Sequence, residues 1–435
     1  RQYHFTGTSH LFERDDRFLG SGPCRHRSTV TCRLPSSPEG TYPYVLGGVS
    51  SWCHDLVSGL DKIDWHIVPI TAGGLRRTSL YDIADHVTLT KGIELWSRPI
   101  GRRGSRRRRA PPTDQKLLPA DLCRLLLGTH DDADQLVEIL SKCRANPEWA
   151  RGAFRSDEAW GYFLEELTVL SRSDGTDLFV DVDFSSLEAT ELWQTLYWLA
   201  MTAATELPDS DVILITAAGW GAVMAAAEIT HRAVPIVLAE HGIYVREAYL
   251  EAARSAPPPG PQFTSTRLAR GLSQLAYAIT DRIAPVCDSH HPWEQALGAQ
   301  SEQLHTIVNG VSRPDAPSEP RHGQTATSVG RIDPLKDVIA MLRAAALVCE
   351  AHPEARFVHY GPATETNRSY YDMCQLVHAD LDLGDRFVFM GSTDDQREAM
   401  RDADVYLSTS ISEGLPLSLL EAMSEGRPVV STNVG

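Results

Sequence analysis

Apolar residues in the second half of this 435-residue chain form short runs separated by segments with helical spacing. The runs over residues 211–215, 235–238, 282–286 and 304–308 have the length and composition of buried strands. Small residues fill the segment over residues 217–229, which we expect to be a helix packed closely on a sheet. Strands that alternate with helices predict parallel βαβ units, so this rhythm indicates an α/β fold from residue 190 onward.

A second unit of the same kind follows a polar linker over residues 314–324. Its predicted strands end in glycine, since residues 327–329 run into Gly330 and residues 357–360 run into Gly361. Ligands of open parallel sheets bind at the carboxyl ends of the strands, where glycine lets a ligand approach the backbone. Two such units in tandem predict Rossmann-like domains that face each other across a central cleft.

The domain boundaries follow from these patterns. Residues 1–38 show no convincing period, and the two prolines within residues 29–38 make that segment a poor first strand. We expect a first domain over residues 39–312, with a helical insertion over residues 72–190, and a second domain over residues 325–435. The second domain ends just after a predicted strand, so we expect it to be incomplete.

Gly47 and Gly48 lie where a loop enters a predicted helix, because Val49, Trp52 and Leu56 recur directly after them at helical spacing. Two adjacent glycines can belong to an ordinary loop. At a helix start they can also let the backbone approach a bound group.

Composition narrows the functional class. The hydrophobic fraction of 42% and the charged fraction of 23% are those of an ordinary soluble protein, and the net charge of −16 argues against a nucleic-acid partner. The eight cysteines lack C-x-x-C spacing and indicate reduced thiols in a cytoplasmic protein, with neither a zinc site nor a disulfide framework. The apolar run over residues 217–227 is too short to span a bilayer.

A concentration of arginines interrupts the first domain. A solvated insertion is the ordinary interpretation of such a stretch, and contact with acidic lipid or an anionic polymer is the alternative. That alternative would place the protein at the inner face of a membrane. The seven arginines are Arg98, Arg102, Arg103 and Arg106 to Arg109.

Two glutamates eight positions apart carry the strongest chemical signal. Glu413 precedes a Gly-Leu-Pro turn, and Glu421 lies on the helix that we expect to start near Leu417. Pro416 suits a helix start, whose free N–H groups and positive dipole end attract an anion. Two carboxylates would repel a bare phosphate, so the ligand should present hydroxyls at both ends of a diphosphate. A nucleotide sugar fits, whereas a surface helix is the ordinary interpretation of the glutamates alone.

Arg331 and Lys336 follow the end of a predicted strand in the second unit. Arginine offers a rigid fork for phosphate oxygens and lysine a mobile point charge. The ordinary alternative is a surface ion pair of Lys336 with Asp333 or Asp337. Together with Glu413 and Glu421, the two cations favour a diphosphate site.

With these residues assembled, the chain resembles the GT-B glycosyltransferases of family 4, and within them the glycosyltransferase of Pel exopolysaccharide synthesis. The closer likeness lies in residues 39–45, in residues 47–52, in residues 240–247 and in the long helical insertion. The marks of the family are Gly47-Gly48, Glu240-His241-Gly242, Asn309-Gly310, Gly330-Arg331 with Lys336, and Glu413 to Glu421.

The resemblance implies a retaining, metal-independent hexosyltransferase without a cofactor, which moves glucose from UDP-glucose onto a growing polysaccharide or another glycan. It implies that Arg331 and Lys336 bind the diphosphate, that Glu413 and His241 contact the donor sugar, and that Glu421 holds the ribose. Arg246 and Glu247 become candidates for acceptor contacts. The residues whose backbone would lie close to the bound donor are Gly47, Gly48, Gly330, Gly361, Gly414, Leu415, Pro416 and Leu417.

Two other functions stay open. One is a catalytically silent nucleotide-sugar-binding subunit of a membrane-bound polysaccharide synthase complex. The other is a GT-B nucleotide-sugar epimerase, although the turn between Glu413 and Glu421 favours transfer. The sequence argues against a nicotinamide dehydrogenase, because no G-x-G-x-x-G follows a strand.

Overall fold

The computed structural model describes residues 26–32, 42–45, 47–72, 78–97, 112–128, 132–172, 181–314, 323–364, 367–393 and 395–435. The chain divides into two compact units between Ile307 and Val308, here called the N-terminal and the C-terminal unit. The arginine-rich stretch over residues 98–109 lies outside the described residues.

The N-terminal unit is built on a parallel sheet, in which the described residues form seven strands. The strands are β1 (His26–Cys32), β2 (Ile63–Ala72), β3 (Val87–Leu89), β4 (Ile93–Leu95), β5 (Val212–Ile215), β6 (Ile236–Glu240) and β7 (Arg282–Pro285). Their order in the sheet is β3-β2-β1-β5-β6-β7, and β4 also pairs with β2. This is the order of a doubly wound nucleotide-binding fold, with reversal between β1 and β5.

Strand β1 corrects the expectation of an irregular segment over residues 1–38. It pairs with β2 on one side and with β5 on the other, so that Val30 lies opposite Ile67 and Leu214. The sequence His26–Cys32 contains β-branched residues but no apolar alternation. Two flanking strands supply hydrogen-bond partners on both sides, and this pairing outweighs the weak hydrophobic pattern.

Helices cover the sheet and fill the predicted insertion. Five of them lie between β4 and β5, where their core side chains Leu122, Phe163 and Leu196 are fully buried. Side-chain caps start several of these helices, including a reciprocal capping box between Ser185 and Glu188. The helices of this unit are α1 (Gly48–Gly59), α2 (Thr113–Leu127), α3 (Ala133–Ala145), α4 (Pro147–Ala153), α5 (Asp157–Leu170), α6 (Ser186–Ala203), α7 (Trp220–Glu228), α8 (Tyr244–Ser255), α9 (Pro259–Ile279) and α10 (His291–Ala296).

The strand expected over residues 304–308 is not formed. Leu304 makes a single bridge to Ile283, and the N–H groups of His305 and Ile307 donate to the carbonyls of Ile283 and Pro285. The segment therefore runs along β7 without completing a ladder of its own.

The C-terminal unit holds a second parallel sheet, whose described strands are β8 (Thr325–Val329), β9 (Arg356–Tyr360), β10 (Phe387–Gly391), β11 (Val405–Ser408) and β12 (Val429–Ser431). Their order is β10-β9-β8-β11-β12, with reversal between β8 and β11. Phe357, Phe387 and Leu342 form the centre of the core of this unit. The helices are α11 (Val338–Ala351), α12 (Arg368–Asp380), α13 (Gln396–Arg401) and α14 (Leu417–Ser424).

Among the described helices, none combines the length and the apolar character needed to cross a membrane.

Candidate functional site

The predicted donor-site residues of the C-terminal unit lie on the two loops that flank the reversal of strand order. Arg331 and Lys336 follow β8, and Glu413 follows β11. All strands of this sheet are parallel, so the ends of β8 and β11 lie at one edge. Such a reversal opens the crevice in which doubly wound folds bind ligands.

Lys336 and Glu413 form an ion pair in which the ammonium group donates to Oε1 of the carboxylate. The Lys336 side chain is 28% exposed and that of Glu413 is 16% exposed, so the pair is largely shielded from water. The Lys336 stem also lies over Gly330, where a Cβ would be 3.7 Å from the lysine Cε. The structure thus brings together three of the predicted site residues, Lys336, Glu413 and Gly330.

The two aspartates close to Lys336 in the chain form hydrogen bonds with other groups. Asp333 accepts hydrogen bonds from the N–H of Leu335 at 2.8 Å and from the Asn367 amide at 2.9 Å. Asp337 caps α11 by accepting from the N–H of Ala340 at 3.1 Å. The alternative of a local ion pair between Lys336 and either aspartate is therefore wrong.

Backbone and side-chain bonds hold the two loops together. The Thr409 hydroxyl donates to the carbonyl of Lys336 at 2.9 Å, and the N–H of Ile411 donates to that of Leu335 at 2.8 Å. Asn309, which belongs to neither loop, also contacts the Glu413 loop, because its amide donates to the carbonyl of Leu415 at 2.9 Å. The Gly-Leu-Pro turn is therefore fixed relative to the Lys336 turn.

Helix α14 begins at Leu417, with Pro416 as its N-cap residue and no side chain capping its first N–H groups. The start of the helix therefore keeps donors available for an anion. Glu421 lies one turn inside this helix and is half-buried.

Tyr406 connects this helix to the end of β8. Its hydroxyl lies 3.1 Å from the carbonyl oxygen of Val329 and 2.8 Å from the Ser418 hydroxyl. Burial, with a contribution from the carboxylates of Glu413 and Glu421, raises the pKa of Tyr406 to about 12. Both predicted glutamates thus lie within electrostatic reach of one buried hydroxyl.

Gly361 allows two strand ends to approach each other closely. Its φ of +151° is rare for other residues, and a Cβ there would lie 1.8 Å from the carbonyl oxygen of Gly330. The N–H of Gly330 donates to the carbonyl of Tyr360 at 2.9 Å, which aligns the Gly330-Arg331 turn. Arg331 is half-buried at the end of that turn.

In the N-terminal unit, the predicted residues lie around the start of α1. Gly47 is its N-cap residue and Gly48 its first residue, and both are exposed. A Cβ at either position would meet no described atom within 4 Å. Packing within the described chain therefore does not require glycine here, which is consistent with an approach by a ligand.

The structure brings His241 to this helix, because its ring packs edge-on against Trp52 with centroids 4.4 Å apart. Burial, together with the nearby His290, lowers the pKa of His241 to about 4, so the ring is neutral at physiological pH. Its buried Nε2 has no hydrogen-bond partner among the described residues. Arg246 and Glu247 lie on α8, just beyond.

Sequence reasoning missed the environment of Glu240, which was quoted only as part of a motif. This carboxyl is fully buried at the end of β6, beside Tyr277 of α9 and Glu294 of α10. A glutamate at the end of an otherwise apolar strand was the available signal.

No cluster of three or more histidine, cysteine, aspartate or glutamate side chains among the described residues could hold a metal ion.

Comparison with known proteins matches the two parts of the chain to two different families. Residues 38–302, more than half of the chain, match the family described as Domain of unknown function (DUF3492). Residues 323–435 match the family described as Glycosyl transferases group 1.

Two curated bacterial proteins are similar over part of the chain. The UDP-Gal:alpha-D-GlcNAc-diphosphoundecaprenol alpha-1,3-galactosyltransferase of Escherichia coli is 30% identical over 116 residues, which are 26% of this chain and 29% of that protein. The poly(ribitol-phosphate) alpha-N-acetylglucosaminyltransferase of Staphylococcus aureus (strain COL) is 31% identical over 136 residues, which are 31% of this chain and 26% of that protein. The matches thus span less than a third of either relative.

Among solved structures, sucrose-phosphate synthase from Thermosynechococcus elongatus is similar with a TM-score of 0.54 and 15% identity, over 94% of this chain and 82% of that chain. At this identity the likeness shows the fold alone, and it confirms the GT-B class for the two parallel α/β units. The chain belongs to the family described as Domain of unknown function (DUF3492), here joined to a Glycosyl transferases group 1 domain.

Proposed function

We propose that this protein is a retaining, metal-independent glycosyltransferase that moves a hexose, glucose from UDP-glucose, onto a growing polysaccharide. The contact between Lys336 and Glu413 at the reversal of strand order is the observation that carries the proposal. The match of residues 323–435 to Glycosyl transferases group 1 supports it. In this proposal the C-terminal unit binds the nucleotide sugar and the N-terminal unit binds the acceptor.

The charges of the site suit a nucleotide sugar. Lys336, Arg331 and the first N–H groups of α14 would bind the diphosphate, which would replace Glu413 as the partner of Lys336. Glu413 would then be free to accept hydrogen bonds from sugar hydroxyls, while Glu421 would accept them from the ribose. Glycines 330, 361 and 414, with Leu415 and Pro416, would let the backbone of both turns approach the donor.

The reaction needs charge stabilisation more than a dedicated base. The acceptor oxygen forms a bond to the anomeric carbon as the bond from that carbon to the diphosphate oxygen breaks. The acceptor proton passes to the leaving phosphate, and Lys336 and Arg331 stabilise the negative charge that develops there. The names of both curated relatives specify alpha transfer, which supports retention if the donor is an alpha-linked UDP-sugar.

The proposed acceptor and partner come from the likeness to the Pel glycosyltransferase. The acceptor would be a growing exopolysaccharide, and the partner would be a membrane-bound synthase complex at the cytoplasmic face of the membrane. The relatives named above act with other sugars, so the donor panel must include UDP-galactose and UDP-N-acetylglucosamine beside UDP-glucose.

Calorimetric titration without metal, followed by a transfer assay in EDTA, tests the proposal. We expect UDP and one UDP-sugar to bind while GDP and ADP do not, and we expect UDP release with a glycan acceptor. Binding without turnover would indicate the silent subunit, and a product that remains a nucleotide sugar would indicate the epimerase. A strict Mg²⁺ requirement would contradict the metal-independent mechanism.

A further inference from the structure

Three tryptophan rings meet at the carboxyl edge of the N-terminal sheet. Trp96 directly follows β4, and Trp220 is the first residue of α7, the helix that follows β5. Trp198 lies on α6. The Trp96 ring packs edge-on against both of the others, with the ring centroids 6.3 Å apart in each pair and interplanar angles of 70° and 82°. We call these three residues the tryptophan cluster.

The pairing of the strands places this cluster where a parallel sheet binds its ligands. β4 pairs with the end of β2, so that Leu95 lies opposite Ala72. β1 pairs in parallel with both β2 and β5. The ends of β4 and β5 therefore lie at the same edge of the sheet, at which His241 follows β6. Ligands of doubly wound folds bind in the crevice outside this edge.

Trp96 is the exposed member of the cluster. It is 45% exposed, whereas Trp220 is 7% exposed and Trp198 is half-buried. The φ of Trp96 is +63°, which is rare for a bulky side chain, and the other described non-glycine residues with positive φ are one alanine and two aspartates. Buried Ile93 and Leu95 anchor the strand that precedes it. A strained backbone held in this way is typical of binding sites.

An exposed indole at this edge suits a sugar ring. One face of a pyranose ring presents C–H groups, and the electron-rich face of an indole attracts such groups. The indole N–H can donate a hydrogen bond to a hydroxyl at the rim of the sugar. A lipid surface would need several exposed apolar side chains side by side, whereas Trp96 alone is exposed within the cluster.

Resting on the proposed function, we propose that Trp96 is an acceptor-binding residue, whose indole stacks on a pyranose ring of the glycan acceptor. Trp198 and Trp220 hold this indole in place through their edge-on contacts. The stacking contact involves no charge, so it fits a neutral hexose or N-acetylhexosamine unit. The nucleotide sugar takes no part in it, so acceptor binding should be measurable without a donor.

The first test measures glycan binding and needs no enzymatic activity. In protein labelled with 5-fluorotryptophan, the Trp96 fluorine signal is identified by its loss in Trp96→Phe, and the probes are maltotetraose, cellotetraose and chitotetraose. We expect at least one of these oligosaccharides to shift the signal. Its dissociation constant should rise about tenfold to 100-fold in Trp96→Gly and by less in Trp96→Phe. Tyr162→Ala, which removes a ring of similar exposure (37%) from α5, should leave it unchanged.

Glycine adopts a positive φ without strain, so Trp96→Gly should keep a cooperative unfolding transition. A Trp96 signal that none of the oligosaccharides shifts, or equal affinity in the wild type and Trp96→Gly, would overturn the proposal. A signal that responds only to UDP or only to phosphatidylglycerol vesicles would also overturn it, because the indole would then contact a nucleobase or a membrane.

Transfer kinetics supply the functional readout. With the oligosaccharide that binds most tightly as acceptor, Trp96→Gly should raise the acceptor KM about tenfold or more, while kcat and the donor KM change little. A residue that merely stabilises the fold would change the kinetics of both substrates. Glycan binding through Trp96 without transfer by any variant would reject the proposed function and leave the glycan contact standing. Transfer with an unchanged acceptor KM in Trp96→Gly would reject the glycan contact alone.

Discussion

Lys336 and Glu413 lie 77 positions apart in the chain and form an ion pair where the strand order of the C-terminal sheet reverses. Each side chain is the ionic partner of the other. In the proposed function, a diphosphate would compete with Glu413 for Lys336, so donor binding would exchange one ionic contact for another. The pair would thereby hold the lysine at the position where the proposed reaction needs it.

The first prediction concerns this lysine. Lys336→Met should reduce transfer by roughly 100- to 1000-fold, since removing one group that stabilises developing charge has effects of this order. UDP affinity should fall as well, while thermal unfolding stays cooperative. Arg368→Ala, which breaks an exposed ion pair with Asp372 in the same unit, is the matched control and should change neither quantity. Wild-type turnover in Lys336→Met would reject the site.

Gly361→Ala should destabilise the C-terminal unit. The added Cβ would lie 1.8 Å from the carbonyl oxygen of Gly330, and the φ of +151° is itself unfavourable for alanine. A strained backbone of this kind costs about 1–3 kcal/mol, and the clash adds to that cost. Chemical denaturation measures the loss. Gly384→Ala, at a φ of +50° with no described atom within 4 Å of the new Cβ, should lack the clash and cost only about 1–2 kcal/mol.

Gly48→Ala should show whether a ligand approaches the backbone at this position, because the substitution should lower activity without lowering stability. Alanine meets no described atom here and favours a helix more than glycine does, so stability should stay the same or rise by up to about 1 kcal/mol. If a ligand approaches the backbone at the start of α1, the methyl group should lower kcat/KM. Gly161→Ala, inside α5 with similarly open space, should raise stability alone. Equal activities in the two variants would contradict a ligand role for Gly48.

Tyr406→Phe should weaken the link between β8 and α14. The variant leaves the buried carbonyl of Val329 without the tyrosine hydroxyl, and an unsatisfied buried acceptor costs about 1–3 kcal/mol. Because Ser418 in the first turn of α14 loses the same partner, KM for the donor should rise more than kcat falls. Urea denaturation and donor-saturation kinetics check the two parts, and an unchanged KM would show that Tyr406 serves the fold only.

Much of this arrangement could be predicted from the sequence because it depends on local signals. These signals are glycine at strand ends, proline at a helix start and apolar runs, and each depends on the conformation of only a few neighbouring residues. They located the turns after β8 and β11 correctly. Strand β1 could not be predicted, since its stability comes from pairing with β2 and β5 on both sides. The partner of Lys336 could not be assigned either, because the competing aspartates are occupied by contacts that only the folded backbone defines.

The pair of Glu240 and Glu294 shows the same limit. Spacing alone does not indicate that residues so far apart in sequence are buried close together, and each glutamate by itself is expected to be exposed. The fold buries both, and burial raises the pKa of each carboxyl group.

The last prediction is a pH dependence of stability that arises from His359. This side chain is buried on β9, where burial lowers the pKa of His359 to about 4 from an ordinary value of 6.5. Between these values the unfolded chain binds the proton more readily than the folded chain does. The free energy of unfolding should therefore fall as the pH drops from 6.5 to about 4, by at most about 3 kcal/mol from this group.

His241 and His290 act in the same direction. Glu294 acts in the opposite direction, because its raised pKa removes stability as the pH rises from about 4.5 to about 7, so the contribution of His359 must be taken as a difference between variants. His359→Asn places an amide near the Ser328 hydroxyl that now contacts Nδ1. Its unfolding free energy should be lower at pH 7 but should decline less on acidification than that of the wild type. Parallel pH profiles for the two proteins would show that His359 is protonated as readily in the folded as in the unfolded chain.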